Sequence, residues 1–195
     1  MRTALSALVI LTGAAACNDN STRTDDHAPA VVTTSVSVSV RPTVAWPAKT
    51  TIDEGALVSL TGETLSPTDV RALIARSPVP VLAPGDRRLA TPTLVVEGEY
   101  FALTGRADGA TISLQGTRAA HRYEGVEPIR GNRDLRGARG FVSVNEGIRT
   151  ASWIENGAAY SVDVECSDHR DARCQSDEFL VSIVAQLTYI GGSER

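Results

Sequence analysis

Histidine is scarce in this chain of 195 residues, which contains only His27, His121 and His169. A serine hydrolase holds a histidine between a nucleophile and a carboxylate, usually beside a G-x-S-x-G turn, and that motif does not occur. The zinc-site spacings H-x-x-x-H and C-x-x-C do not occur either. The sequence therefore indicates no catalytic residue, no metal ligand and no cofactor.

An excess of positive charge and a long apolar run are missing as well. The formal net charge is −4 at pH 7 and the pI is about 5.4, whereas nucleic-acid-binding domains usually present a basic face. A transmembrane helix needs about 20 apolar residues, and the apolar stretch at residues 4–11 is shorter and contains Ser6. We therefore expect no nucleic-acid partner and no membrane-spanning helix.

The first 16 residues have the three parts of a secretory signal peptide. Arg2 supplies a positive charge, residues 4–11 are apolar, and residues 13–16 are small. This pattern predicts export of the chain, with a signal peptide at residues 1–16.

The run Ala14, Ala15, Ala16, Cys17 resembles the lipobox of bacterial lipoproteins, in which leucine is usual at the first of these positions. The resemblance implies that the Cys17 thiol is acylated, with chains such as palmitate, and becomes the N-terminus of a membrane-anchored protein of the cell envelope. Several acyl chains give stable anchoring, whereas one chain alone binds weakly. The alternative is an ordinary signal peptide, cut near residues 14–16, that leaves Cys17 free or removed.

Three cysteines are an odd number for an exported protein. If Cys17 carries lipid, Cys166 and Cys174 remain as a pair in a compartment where disulfides form. We expect a disulfide that closes a nine-residue loop and stabilises the fold by about 2 to 3 kcal/mol. The alternative is a metal site that uses Asp168, His169 and Asp171, and adjacent residues of this kind rarely converge on one ion.

Residues 17–44 are rich in Ser, Thr, Asp and Val and contain no aromatic residue. Such a composition buries too little apolar surface to offset the cost of ordering, so we interpret this segment as a lipidated, flexible tether. The alternating Val36, Val38 and Val40 are also compatible with an edge strand. Residues 45–195 form a single domain of ordinary size.

Local patterns predict several elements in this domain. We expect a strand at Ala56–Leu60 and a short helix that begins at the N-cap Ser66 and stops before Pro78. Alternating β-forming residues predict a hairpin with its tip at residues 107–109. The stretch at residues 117–140 is interpreted as a long polar loop.

Asn156 and Gly157 are typical of a two-residue hairpin turn, in which both residues have positive φ. That turn fixes the register, with Trp153 opposite Tyr160 and Ala151 opposite Val162. Since side chains alternate along a strand, one face is expected to be buried. Its members are Ala151, Trp153, Tyr160, Val162 and Val164.

A C-terminal amphipathic helix is expected to cover that face. Ser176 is its N-cap, residues 179, 180, 183, 184 and 187 form its apolar stripe, and Gly191 and Gly192 end it. The predicted fold is therefore α+β, a twisted antiparallel sheet of hairpins with this helix and the shorter earlier helix packed on one face.

Trp153, Glu155, Gly157 and Tyr160, together with the closing helix, resemble an uncharacterised domain of exported bacterial proteins. The same domain is found on the outer side of some anti-sigma-like membrane proteins. The proline-rich segment at residues 78–84 also fits this pattern. The resemblance implies a fold and an envelope location, and it supplies no catalytic residue.

Two further charge patterns have alternative interpretations. Arginines recur every third residue at positions 130, 133, 136 and 139, which suits phosphates or anionic lipid headgroups if they share one side. The alternative is that they pair with Glu124, Glu127 and Asp134. Glu97 and Glu99 are spaced like a glycosidase pair, although two carboxylates on one strand are more often surface charge.

These observations favour a non-catalytic binding or structural module, attached to the membrane through its lipid and contacting an envelope protein. One alternative is a carrier or sensor of lipid or another apolar ligand, bound between the sheet and its helices. A histidine-based hydrolase that uses His121 or His169 is the second alternative.

Overall fold

The computed structural model describes residues 39–61, 65–168 and 170–193. The signal peptide, Cys17, His27, most of the predicted tether and His169 lie outside these residues. Within them, no helix combines the length and the hydropathy that crossing a bilayer would require.

The described chain is dominated by antiparallel strands, with three short α-helices. The helices are α1 (Glu54–Ser59), α2 (Pro67–Ile74) and α3 (Glu178–Ala185). The strands are β1 (Ser39–Val40), β2 (Val81–Pro84), β3 (Ala90–Glu97), β4 (Tyr100–Ala107), β5 (Ala110–Thr117), β6 (Arg122–Tyr123), β7 (Arg133–Leu135), β8 (Ala138–Asn145), β9 (Ile148–Glu155), β10 (Ala158–Cys166) and β11 (Leu187–Gly191). Two 3-10 turns, Lys49–Thr51 and Ala172–Cys174, complete the elements.

Seven of the strands form one antiparallel sheet in the order β3-β4-β5-β10-β9-β8-β7. Two small two-stranded sheets, β1 with β6 and β11 with β2, accompany it. This antiparallel sheet with helices confirms the α+β class.

The central hairpin of the sheet has the register that its turn predicts. Trp153 lies opposite Tyr160 and Ala151 opposite Val162, and Asn156 and Gly157 have φ angles of 53° and 74°. The inner-face side chains are buried, and they are Ala151, Trp153, Tyr160, Val162 and Val164. The hairpin with Asp108 and Gly109 at its tip is confirmed as well.

The prediction of a strand at Ala56–Leu60 is wrong, because these residues belong to α1 and the turn that follows it. The Asp53 side chain accepts a hydrogen bond from the Ala56 backbone N–H and caps this helix. The predicted helix at Ser66 is present as α2. Ser66 and Asp69 form a reciprocal capping box, and Pro67 occupies the first turn.

The C-terminal helix is shorter than predicted. It ends at Ala185, and Leu187–Gly191 continues as β11 beside β2. Its N-cap position is held by Asp177, while the Ser176 hydroxyl bonds the Glu178 carboxylate. Thr188, Tyr189 and Ile190 are β-forming residues, so the chain changes to a strand well before the glycines.

The stretch at residues 117–140, interpreted as one polar loop, contains three strands. β6 pairs with β1, and β7 forms a hairpin with the start of β8 through Arg136 and Gly137. Of the edge strand that Val36, Val38 and Val40 could form, the structure describes the two residues of β1. Val36 and Val38 lie outside the described residues.

One hydrophobic core runs through the described residues. It contains buried side chains of the inner sheet face, of the helices and of the small sheet β2–β11. Representative members are Phe101, Ile112, Trp153, Tyr160, Val70, Ile74, Leu180, Ile183, Val184, Leu82 and Ile190.

Candidate functional sites

The inner face of the sheet is filled by stacked aromatic side chains. The rings of Trp153 and Tyr160 lie 5.5 Å apart at 21°, and the Tyr160 hydroxyl donates a hydrogen bond of 2.9 Å to the Pro80 carbonyl. Burial, with Glu155 nearby, raises the pKa of Tyr160 far above its ordinary value. A neutral phenol held in this way is a structural group.

Next to this stack lies a partly buried charge cluster that the sequence reasoning missed. Arg136, at the β7–β8 turn, forms two bonds of 2.7 and 3.2 Å to the Glu155 carboxylate. The Trp153 indole N–H donates to the same carboxylate at 2.9 Å. Arg136 also donates to the Leu187 carbonyl at 2.5 Å, at the point where α3 gives way to β11. The cluster therefore ties the sheet to the C-terminal segment.

The four arginines of the three-residue repeat do not share one surface. Arg136 is partly buried and pairs with Glu155, Arg139 pairs with Asp134 at 3.1 Å, and Arg133 lies 3.5 Å from Asp177. Arg130 is exposed. Since three of the four arginines have carboxylate partners, the repeat does not form an anion-binding row. One of these partners, Asp134, is among the carboxylates expected from the sequence.

Cys166 and Cys174 form the predicted disulfide, with their Cα atoms 6.2 Å apart. Beside it, the Arg149 guanidinium donates to the Cys174 carbonyl at 2.7 Å and pairs with Asp177 at the start of α3. A cleft of about 320 Å³ opens next to this group. Its lining is mixed, with Val144 and the disulfide beside the polar residues Glu146, Glu165, Ser167 and Gln175.

Of the three residues considered above for a metal site, Asp171 has another partner. Asp171 pairs with Arg173 at 2.5 Å, and this side-chain contact lowers the pKa of Asp171 to about 2. His169 lies outside the described residues. Over the described parts of the chain, no group of three or more His, Cys, Asp and Glu side chains is placed to hold a metal ion.

The remaining candidates for chemistry are the pair Glu97 and Glu99 and, separately, His121, and all three are exposed. Glu97 accepts from the Tyr100 hydroxyl at 3.4 Å, whereas Glu99 pairs with Arg41. His121 stacks on Tyr123, with 6.4 Å between ring centroids, in an exposed segment. Neither place resembles a glycosidase or hydrolase centre.

A shallow hollow of about 180 Å³ lies between α1, α2 and β11. Leu57, Ile74 and Ile190 line it, and Arg71 and Glu54, bonded at 2.8 Å, are also part of its wall. Pockets for drug-sized ligands occupy roughly 300 to 1,000 Å³. The hollow is therefore too small for a lipid chain or a comparable apolar ligand.

The outer face of the sheet carries short hydroxyl side chains. Residues that lie opposite one another form a row across six strands: Thr93, Thr104, Ser113, Asp163, Thr150 and Ser143. Neighbours in the row bond each other, as Thr150 does with Asp163 at 2.6 Å and Thr104 with Ser113 at 3.2 Å. This row is polar and hydrogen-bonded, while Val95, Phe141 and Ile154 are exposed elsewhere on the same face.

Comparisons of the chain with protein-family models, with curated proteins and with solved structures each found no match.

Proposed function

We propose that the chain is an exported lipoprotein of the bacterial cell envelope, anchored through acylated Cys17. In this proposal residues 1–16 are a signal peptide and the tether, predicted at residues 17–44, extends only to residue 38, because β1 (Ser39–Val40) already pairs with β6. The domain that follows is a non-catalytic binding or structural module whose partner is an envelope protein.

The pairing of Cys166 with Cys174 is the observation that supports this proposal best. It accounts for two of the three cysteines and leaves Cys17 as the remaining thiol. Structural disulfides are typical of exported proteins, because the cytosol keeps thiols reduced. A thiol directly after a signal-like segment is the acceptor that a lipobox provides.

A non-catalytic role is supported by the way the charged side chains are used. Glu155 holds Arg136 and Trp153, Asp177 holds Arg149, and Asp171 holds Arg173. Each of these contacts joins two segments or orders a turn. These structural contacts account for the charged groups without a catalytic role.

We also propose that α3, together with α2, packs on one face of the seven-stranded sheet and closes it. The burial of Leu180, Ile183 and Val184 in the same core as Trp153 and Tyr160 supports this arrangement. Such filling disfavours the alternative of an apolar-ligand carrier, because the space between the sheet and its helices is already occupied by side chains.

Membrane fractionation of wild-type and Cys17→Ala chains, produced in a bacterium that processes lipoproteins, tests the anchor. The wild type is expected in the membrane fraction and the C17A chain in the soluble fraction. Cys17→Ser is a matched control for size and polarity, since it too lacks the acylated thiol and should behave like C17A. Equal membrane recovery of all three chains would refute the anchor.

A further inference from the structure

An exposed segment with three apolar side chains projects from the end of β5 toward β7. Every residue from 121 to 130 is exposed. Val126 has 59% and Ile129 84% of its surface accessible, and Tyr123 has 52%. No other described segment of similar length exposes three large apolar side chains. We name Tyr123, Val126 and Ile129 the apolar loop cluster.

The chain that would carry the anchor enters the domain beside this cluster. β1 pairs with β6, so that Ser39 lies opposite Tyr123 and Val40 opposite Arg122. Val40 is itself 59% exposed. The described chain therefore begins at the base of the loop, on the side of the domain that is joined to residues 17–38.

The length of that connection keeps the cluster close to the anchor. Residues 18–38 separate Cys17 from Ser39, and a chain of this length spans at most about 80 Å when fully extended. As the flexible tether proposed above, its mean end-to-end distance is about 25 Å. An anchor at Cys17 thus keeps the loop near the bilayer. The effective concentration of the loop at the lipid surface is then high, so that even a weak affinity of the loop for lipid gives binding.

Apolar contact rather than charge distinguishes this loop. Its ionised side chains balance, since Arg122 and Arg130 accompany Glu124 and Glu127. Tyrosine and aliphatic side chains suit the boundary between headgroups and acyl chains, because a tyrosine ring is apolar while its hydroxyl remains hydrated. The matching partner is therefore a bilayer surface, recognised without a requirement for anionic lipid.

We propose that the apolar loop cluster inserts into the headgroup region of the bilayer to which the chain is tethered. This inference rests on the proposed lipid anchor. The anchor supplies proximity, and the loop sets the orientation, with the β1–β6 end of the domain toward the membrane and the β8–β9 turn away from it.

Quenching by brominated lipid tests this orientation. Ile129→Trp is made in the full chain, which is coupled through Cys17 to a maleimide-bearing phospholipid in phosphatidylethanolamine–phosphatidylglycerol vesicles. Brominated acyl chains are expected to lower the added Trp fluorescence of the I129W chain, relative to the parent chain, about twofold or more. The same quenching is expected at high salt and in purely zwitterionic phosphatidylcholine vesicles.

The matched control is Val144→Trp. Val144 is 53% exposed on β8, opposite Arg149 and thus at the far end of the strands from Tyr100 and Thr117. Its added fluorescence should be unaffected by brominated lipid. Equal quenching of the I129W and V144W chains, or a blue shift of I129W emission without quenching, which indicates a protein contact instead, would overturn the proposal.

The artificial lipid makes this test independent of cellular acylation. If the mass of Cys17 from cells shows no lipid while the I129W chain is quenched, the anchor fails, and what stands is that the loop inserts when the chain is held at a bilayer. If Cys17 is acylated and the I129W chain is not quenched, the loop inference fails and the anchor stands.

Discussion

Arg136 and Arg139 are three positions apart and belong to the same charge repeat, yet their surroundings differ greatly. The side chains of Arg136 and Glu155 keep 17% and 21% of their exposure, whereas those of Arg139 and Asp134 keep 56% and 78%. Breaking an ion pair of low exposure is costly, because the remaining charge is left without a partner and poorly hydrated. Exposed ion pairs contribute little to the free energy of unfolding.

Arg136→Ala is therefore expected to lower the free energy of unfolding by about 2 to 3 kcal/mol. It removes both bonds to Glu155 and the bond to the Leu187 carbonyl. Urea unfolding measures the change, and Arg139→Ala, which is expected to cost less than about 1 kcal/mol, is the control. Equal losses for the two variants would show that Arg136 has no special structural role.

Tyr160 gives a prediction for alkaline pH. Burial raises its pKa in the folded state, so its contribution to stability is fully present below the unfolded pKa of about 10 and is lost as the pH rises above that value. The free energy of unfolding should then fall by up to about 1.4 kcal/mol per pH unit on account of this residue. Chemical unfolding between neutral pH and pH 11 measures the slope.

Tyr160→Phe is the comparison for that slope. It should lower stability at neutral pH by about 1 to 2 kcal/mol, because the Pro80 carbonyl loses its donor. Above pH 10 its curve should be flatter than that of the wild type. Burial also raises the pKa of Tyr189. Because Tyr189 is present in both chains, its effect on the slope cancels in the comparison. Parallel curves would contradict the assignment.

Among single residues, those with local signals could be predicted and those with tertiary partners could not. The disulfide followed from the number of cysteines and their compartment. Arg136 gave no local signal, because Glu155 and Leu187 are distant in sequence and only the β7–β8 turn brings the guanidinium to them. The large exposed fractions of Val126 and Ile129 could not be predicted either, because they depend on where the loop lies relative to the rest of the fold.

At the scale of elements, turn chemistry was the more reliable guide. Asn156 and Gly157 determined a whole register, because both need positive φ and a one-residue slip would invert the buried face. Apolar patterns were less reliable over short runs. Residues 56–60 fit a strand or a helix equally, and the cap at Asp53 decides for the helix. The Arg136–Gly137 turn has no such typical pair, so the sequence predicts a loop where the structure has a hairpin.

Two turn glycines permit a test of how the chain at residues 43–45 contacts the domain. Gly157 and Gly147 both have positive φ, at 74° and 85°. A Cβ on Gly157 would lie 2.1 Å from the Thr43 carbonyl oxygen, whereas one on Gly147 would meet nothing within 4 Å. The Ala45 N–H also bonds the Asn156 carbonyl at 2.9 Å.

Gly147→Ala should cost about 1 to 2 kcal/mol from backbone strain alone. Gly157→Ala should cost more and should release residues 43–45 from the hairpin. Hydrogen exchange at the Ala45 amide measures the release, and it should be faster in the G157A chain only. Unchanged protection at Ala45 in that chain would argue against this contact.

At the scale of the whole molecule, the two sheet faces differ in composition. The inner face is aromatic and aliphatic and belongs to the core, while the outer face presents a row of hydrogen-bonded hydroxyl groups together with the exposed side chains of Val95, Phe141 and Ile154. The apolar loop cluster and β1 lie together at one end of the strands. An anchored protein with this asymmetry would approach the bilayer with that end and leave the hydroxyl face for other contacts.

The central claim is that Cys17 anchors the protein through lipid, and the mass of the protein purified from membranes tests it most directly. The account predicts a chain that begins at Cys17, with acyl groups on its thiol and its new amino terminus. A chain that retains residues 1–16, or one that begins elsewhere with an unmodified Cys17, would contradict it.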